Sequence, residues 1–233
     1  MINKKVLVLS ALIVLTTNSA FALDNAYYLT IGGGPLMSST VKPTINSSSI
    51  INKGDTAPIF FLGGGYNFNK HFRIEIPFVL SSPQYKSSIQ KRLINGELLN
   101  ESASIKTSFV GVIVNGYGSY EINERAEAFV GAGLGGGYLN YKFTQVIEGK
   151  KGKHIFTNTT KSKNQLQFAW NLSTGIGFKI DDASKIDVKY QYINLGKINK
   201  YAKNSNSNSI STGLKKSIAI SGHAITVGFR RYL

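Results

Sequence analysis

The sequence predicts an all-β fold: an eight-stranded antiparallel up-and-down transmembrane β-barrel that follows a cleaved signal peptide. Three observations predict it. Apolar residues recur with a period of two over segments longer than most soluble strands. Short and long connections alternate along the chain. The first residues have the layout of an export signal.

The chain starts with that signal. Lys4 and Lys5 precede an apolar run from Val6 to Leu15, broken only by Ser10, and Ala20, Phe21 and Ala22 then give a small-x-small cleavage pattern. A run of about ten apolar residues fits a secretory leader; a membrane-spanning helix takes about twenty. The expected division is therefore a signal peptide at 1–22 and a single barrel domain at 23–233.

The strands come next. From Leu166 to Ile180 every second residue is apolar or nearly so: Leu166, Phe168, Trp170, Leu172, Thr174, Ile176, Phe178, Ile180. Between them stand Gln167, Ala169, Asn171, Ser173, Gly175, Gly177 and Lys179, which are polar or small. One oily face and one wet face describe a strand. Its length suits a membrane strand of about nine to eleven residues better than a soluble one of about five or six. The same alternation covers Phe72 to Leu80, Ile186 to Tyr192 and the C-terminal run from Ile225. Four glycine-richer strands are read at Tyr27 to Gly34, Pro58 to Phe68, Lys106 to Tyr120 and Ala126 to Phe143. Pro77 inside a two-partnered strand predicts a bulge there, because proline cannot donate to a ladder.

Three connections are short, near Asn69, Asn123 and Asp182, and four are long, at about 38–56, 82–104, 144–163 and 198–216. Short turns at one end and long polar loops at the other describe an outer-membrane barrel. Tyr66, Phe68, Tyr120, Phe178 and Tyr232 are the expected interfacial girdle. A secreted soluble barrel would share the alternation with its apolar face turned inward. The wide aromatics on the oily face would overcrowd a lumen of eight strands, so that face is assigned to lipid.

Several segments carry a resemblance. Gly63 to Glu75 (GGGYNFNKHFRIE), Ala126 to Leu134 (AEAFVGAGL), Asp187 to Gly196 (DVKYQYINLG) and the ending Ile225 to Leu233 (ITVGFRRYL) resemble the eight-stranded OmpA-type and opacity-type outer-membrane barrels. The loop arrangement and basic charge are similar to small surface antigens and adhesins of rickettsia-like bacteria. The resemblance implies a Gram-negative outer-membrane surface protein. Two departures stand out: the chain ends in Leu233 where such proteins usually end in Phe, and Arg231 falls on the lipid face. An arginine there costs about 0–1 kcal/mol if it lies at the interface.

Charge supplies the candidate functional residues. The formal net charge is +15, and removal of the leader with Lys4 and Lys5 leaves about +13, a field that steers acidic partners. Lys150, Lys151, Lys153, Lys161 and Lys163 form the densest basic loop and are the expected ligand-binding residues. They point to host glycans or acidic host surface proteins; no aromatic platform accompanies them, which argues against specific nucleic acid. Arg73, Glu75, Asp187, Lys189 and Arg230 fall on the wet face and are the expected lumen charge network. Charges in so narrow a barrel must pair, and a packed polar plug is preferred to a conduction path. The expected protein is a monomeric barrel in outer-membrane lipid whose basic loops serve adhesion. A structural or weakly conducting porin-like barrel is the alternative, and a lipid-modifying enzyme the third. No enzyme, cofactor or metal is expected. Cysteine is absent, the three histidines are scattered, and no nucleophile, base and orienter fall together. The glycine triplets at 32–34, 63–65 and 135–137 precede no helix and so are not phosphate loops.

Overall fold

A computed structural model describes residues 27–39, 44–45, 48–49, 52–87, 90–94, 97–148, 154–161, 165–198 and 218–233. The expected signal peptide and nearly all of the fourth long loop lie outside them. We number the wall strands β1 (Tyr27–Ser38), β2 (Thr56–Asn67), β3 (Phe72–Ser81), β4 (Glu97–Asn123), β5 (Ala126–Glu148), β6 (Gln165–Asp181), β7 (Ser184–Ile198) and β8 (Ile218–Tyr232). Each pairs antiparallel with its neighbours in chain order, and β8 returns to β1 through Tyr28 opposite Tyr232 and Phe229 opposite Ile31. The sheet is closed, so no edge remains in the wall.

Side chains alternate across that wall as the period of two requires. Phe60, Leu62, Ile76, Phe78, Val112, Leu134, Phe168, Leu172, Ile176 and Val227 are exposed on the outside, while Arg73, Glu75, Asn115, Glu127, Asn171, Asp187 and Arg230 are buried within. Apolar outside and polar inside is the arrangement of a wall surrounded by lipid. Tyr27, Tyr66, Phe68, Phe72, Tyr120 and Phe178 ring the short-turn end, with Tyr27 and Tyr66 at 4.8 Å. Trp170, Tyr192 and His223 cluster on the outer face nearer the other end. Tyr232, expected in the girdle, is instead turned inward: it shares the parity of Arg230, and that face is the lumen. Arg231 points outward as expected, 3.7 Å from Asp181.

The lumen accepts large side chains because glycines stand beside them. A Cβ at Gly65 would overlap the Tyr28 ring, one at Gly131 the Tyr117 ring, and one at Gly175 the Phe129 ring. Pro77 causes no bulge. Glu75 pairs with Asn115 and Phe78 with Val112, which is one unbroken register; only the two intervening rungs are missing. The ladder is simply interrupted where the N–H is lacking. A register shift occurs instead in β7 between Asn194 and Lys197, at Gly196 with φ +108°.

The walls run further than the sequence suggests. β4 has 27 residues and β5 has 23. They occupy parts of the segments expected to be loops, and Gln84–Ser87, Gln90–Ile94 and His154–Lys161 pair alongside them. Here the interior is apolar: Leu36, Tyr85, Ile105, Phe109, Leu139, Tyr141, Leu195, Ile198, Ile218 and Ile220 are buried against one another at the outer mouth.

Folding can be checked by electrophoresis of the refolded protein, whose mobility should shift on boiling. Gly196→Val should lower stability by about 1–3 kcal/mol, because a β-branched residue is forced into a glycine conformation, and its Cβ would stand 2.5 Å from that of Gln167. The readout is the urea midpoint of refolding.

Candidate functional site

Two features carry the chemistry: a buried charge cluster in the lower lumen and the basic extension above the wall. The cluster is built from residues one to three positions inside their strand ends. Arg73 lies on β3, Glu127 on β5, Asp187 on β7 and Arg230 on β8. Arg230 Nη2 donates to Glu127 Oε1 and to Asp187 Oδ1, both at 2.7 Å. Arg73 Nη1 donates to the same Glu127 Oε1 at 2.9 Å, and its Nη2 lies 3.9 Å from Asp187 Oδ2. Lys185 donates to Glu127 Oε2. The Arg73 guanidinium stacks over Tyr117 at 4.5 Å and Phe129 at 4.6 Å, and Arg230 Nη1 donates to the Tyr232 hydroxyl at 3.1 Å. Aromatic faces and fork-shaped hydrogen bonding suit arginine in such a place.

Of the five residues expected to form the lumen network, Arg73, Asp187 and Arg230 come together and Glu75 and Lys189 do not join them directly. Glu75 accepts a long hydrogen bond from Tyr28 at 3.4 Å. Lys189 donates to the Tyr117 hydroxyl at 3.3 Å and lies over the Phe61 ring at 4.7 Å. Both border one void of about 10 Å³, the room of a single water. Glu127 and Lys185 were not foreseen, yet Glu127 touches every cation of the cluster. Its signal was parity: it shares a face with Gly131, Gly133, Gly135 and Gly137.

The interior is filled above this level. Asn171 Nδ2 donates to Asn115 Oδ1 at 2.8 Å, and the apolar core begins with Ile59, Ile113 and Ile193. A cavity of about 870 Å³ opens at the short-turn end and is floored by Arg73, Glu127, Lys185 and Arg230. Outside the cluster, His71 Nδ1 lies 3.3 Å from the Ser119 carbonyl and His223 Nδ1 lies 2.7 Å from the Tyr190 hydroxyl, both at exposed positions. Among the described residues no three His, Cys, Asp or Glu side chains are placed to hold a metal ion.

Of the expected ligand-binding lysines, Lys150, Lys151, Lys153 and Lys163 lie outside the described residues. Lys161 ends the strand His154–Lys161 and stands opposite Lys142 of β5. Among the described residues an exposed ion pair joins Lys86 to Asp55 at 2.9 Å, and a second joins Lys179 to Asp182 at 2.7 Å in the last short turn. The Lys179 ammonium holds the Asp182 carboxyl below its ordinary pKa.

A closed wall that is apolar outside, aromatic at its rims and plugged within defines an integral outer-membrane barrel. A family model, the outer membrane protein beta-barrel domain, matches residues 7–230, and the chain belongs to that family. It is a protein of the bacterial outer membrane. A Rickettsia canadensis protein named "Putative adhesin" is 27% identical over 93% of this chain and 87% of its own length. A Rickettsia conorii protein of the same name is 27% identical over 92% and 86%. Among solved structures, the outer membrane protease OmpT of Escherichia coli superposes with a TM-score of 0.52 at 13% identity, over 94% of this chain and 100% of that one. That likeness concerns the fold alone.

Removing the hub should cost more than removing a peripheral charge. Glu127→Gln leaves Arg73, Arg230 and Lys185 facing Asp187 alone, and breaking a buried pair this way costs about 3–5 kcal/mol. Glu75→Gln should cost clearly less, since its carboxylate accepts a single long hydrogen bond among the described residues, the 3.4 Å bond from Tyr28. Urea refolding midpoints of the two variants in the same vesicles check the order.

Proposed function

We propose that the protein is a surface adhesin: the barrel is an anchor, and the basic outer segments bind acidic components of a host surface, either glycans or proteins. The filled interior carries this reading. Among the described residues the lumen is closed by an ion cluster below and an apolar core above, so the activity is sought on the outer surface. Lys150, Lys151, Lys153, Lys161 and Lys163 are the proposed contact residues, and the net charge of +15 supplies the steering field. The names carried by the Rickettsia relatives agree with it. The reading is non-enzymatic: His71 meets the Ser119 backbone carbonyl and His223 the Tyr190 hydroxyl, and neither imidazole is hydrogen-bonded to an orienting acid among the described residues. The protein is proposed to act as a monomer.

Two measurements check the proposal. In planar bilayers the refolded protein should give no steady conductance above the leak; stable unitary currents would restore the porin-like alternative. Cells displaying Lys150→Glu, Lys151→Glu and Lys153→Glu together should bind host cells several-fold less than cells displaying the original protein at equal surface level. Equal binding removes the basic loop from the reading.

A further inference from the structure

The alternation along β4 and β5 marks the upper edge of the lipid. Outward-facing partners run Val112 with Gly136, then Val110 with Tyr138, then Ser108 with Asn140, then Lys106 with Lys142. The last apolar pair is Val110 and Tyr138, both exposed. Lys106 and Lys142 stand four residues further on, about 13 Å along the strand and about 10 Å higher once a tilt of about 40° is included. Long lysine stems reach down toward the interface, whose polar layer is about 5–8 Å thick on each side.

The register adds a third lysine. Lys106 lies directly opposite Lys142, and Lys142 directly opposite Lys161 on the next strand. Three lysine positions thus fall in one row across three adjacent strands, spanning about 10 Å at ordinary strand spacing. Lys106 and Lys142 are exposed, and among the described residues neither has an ion-pair partner. Like charges directly opposite one another repel. The neighbouring lysine rung, Lys53 opposite Lys86, differs, because Asp55 neutralises Lys86. Lys106 and Lys142 therefore have no counter-ion among the described residues.

We propose that Lys106 and Lys142, directly opposite one another on β4 and β5, bind the phosphate of an outer-leaflet glycolipid headgroup. The face decides the ligand class. Lys106 and Lys142 continue the outward face that carries Leu134, Tyr138 and Val110, so they look sideways along the membrane plane toward adjoining lipid, not upward toward another cell. A phosphate there meets the row at close to headgroup height and relieves its repulsion. This site concerns the membrane and does not depend on the adhesive reading.

The test uses the refolded protein in detergent micelles, with bisphosphorylated lipid A, its dephosphorylated form and heparin as probes, read by native mass spectrometry. The original protein should retain the phosphorylated lipid at least tenfold better than the dephosphorylated one. Lys106→Glu with Lys142→Glu should abolish that preference, and Lys106→Arg with Lys142→Arg should keep it. Both pairs are exposed, and heat-shifted mobility verifies that each has folded. Lys150→Glu, Lys151→Glu and Lys153→Glu should leave lipid retention intact, which separates this site from the adhesive loop. The proposal is overturned if phosphate makes no difference, if the Glu pair retains the lipid, or if the Glu pair loses heparin alone.

Discussion

Everything in this molecule follows from one constraint: a backbone in hydrocarbon must bond all of its N–H and C=O groups internally. A sheet meets that requirement only by closing. Closure through Tyr28 and Tyr232 fixes the strand order, and with it which residues face in. It also limits the space. An eight-stranded wall has room for side chains and little else, so each inward residue must find its place among the others. Glycines at 65, 131 and 175 are then sites of packing, because the rings of Tyr28, Tyr117 and Phe129 occupy the volume their side chains would need.

The same narrowness explains the buried charges. Isolated ions would be costly in such a lumen, and this cluster leaves few of them isolated. Glu127 receives Arg73, Arg230 and Lys185, and Asp187 receives Arg230 with Arg73 close by. The hub lies on β5 and its partners on β3, β7 and β8, so the cluster ties opposite sides of the barrel near their short-turn ends. Such a tie fixes strand register, since a one-residue slip would send each charge into lipid. It is better understood as a device of specificity than as a source of large net stability.

Much of this was legible in the sequence, and the gaps have physical causes. The period of two gave the eight walls, the turned-out apolar face and the inward set of Arg73, Glu75, Asp187, Lys189 and Arg230. Glu127 was hidden because β5 alternates alanine and valine with glycine, a weak contrast between faces. Its parity with Gly131 and Gly133 held the information. Tyr232 was misplaced because an aromatic at a strand end resembles a girdle residue; parity with Arg230 turns it inward. Pro77 looked like a bulge because a missing donor has two remedies, and here the ladder skips two rungs without slipping. The strands beyond the membrane were missed for a different reason: lysine, serine and asparagine mark loops only while the outward face is required to be apolar.

That last point concerns how the chain divides its labour. Along β4 the inward series runs Tyr117, Asn115, Ile113, Gly111, Phe109, Thr107, Ile105, while the outward series runs Val114, Val112, Val110, Ser108, Lys106. Between Ile113 and Phe109 the alternation changes over: below this level the wall is apolar outside and polar within, and above it polar outside and, Thr107 apart, apolar within. The first pattern belongs to a sheet in lipid and the second to a sheet in water. One uninterrupted strand therefore serves two solvents. The apolar core around Phe109, Leu139 and Tyr141 is what a water-borne sheet needs to stand above the membrane, and it seals the mouth as it does so. A pore would need polar residues at this level. The chain uses the position for structural support, which leaves the outward lysines and the segments above them as the surface available to interact.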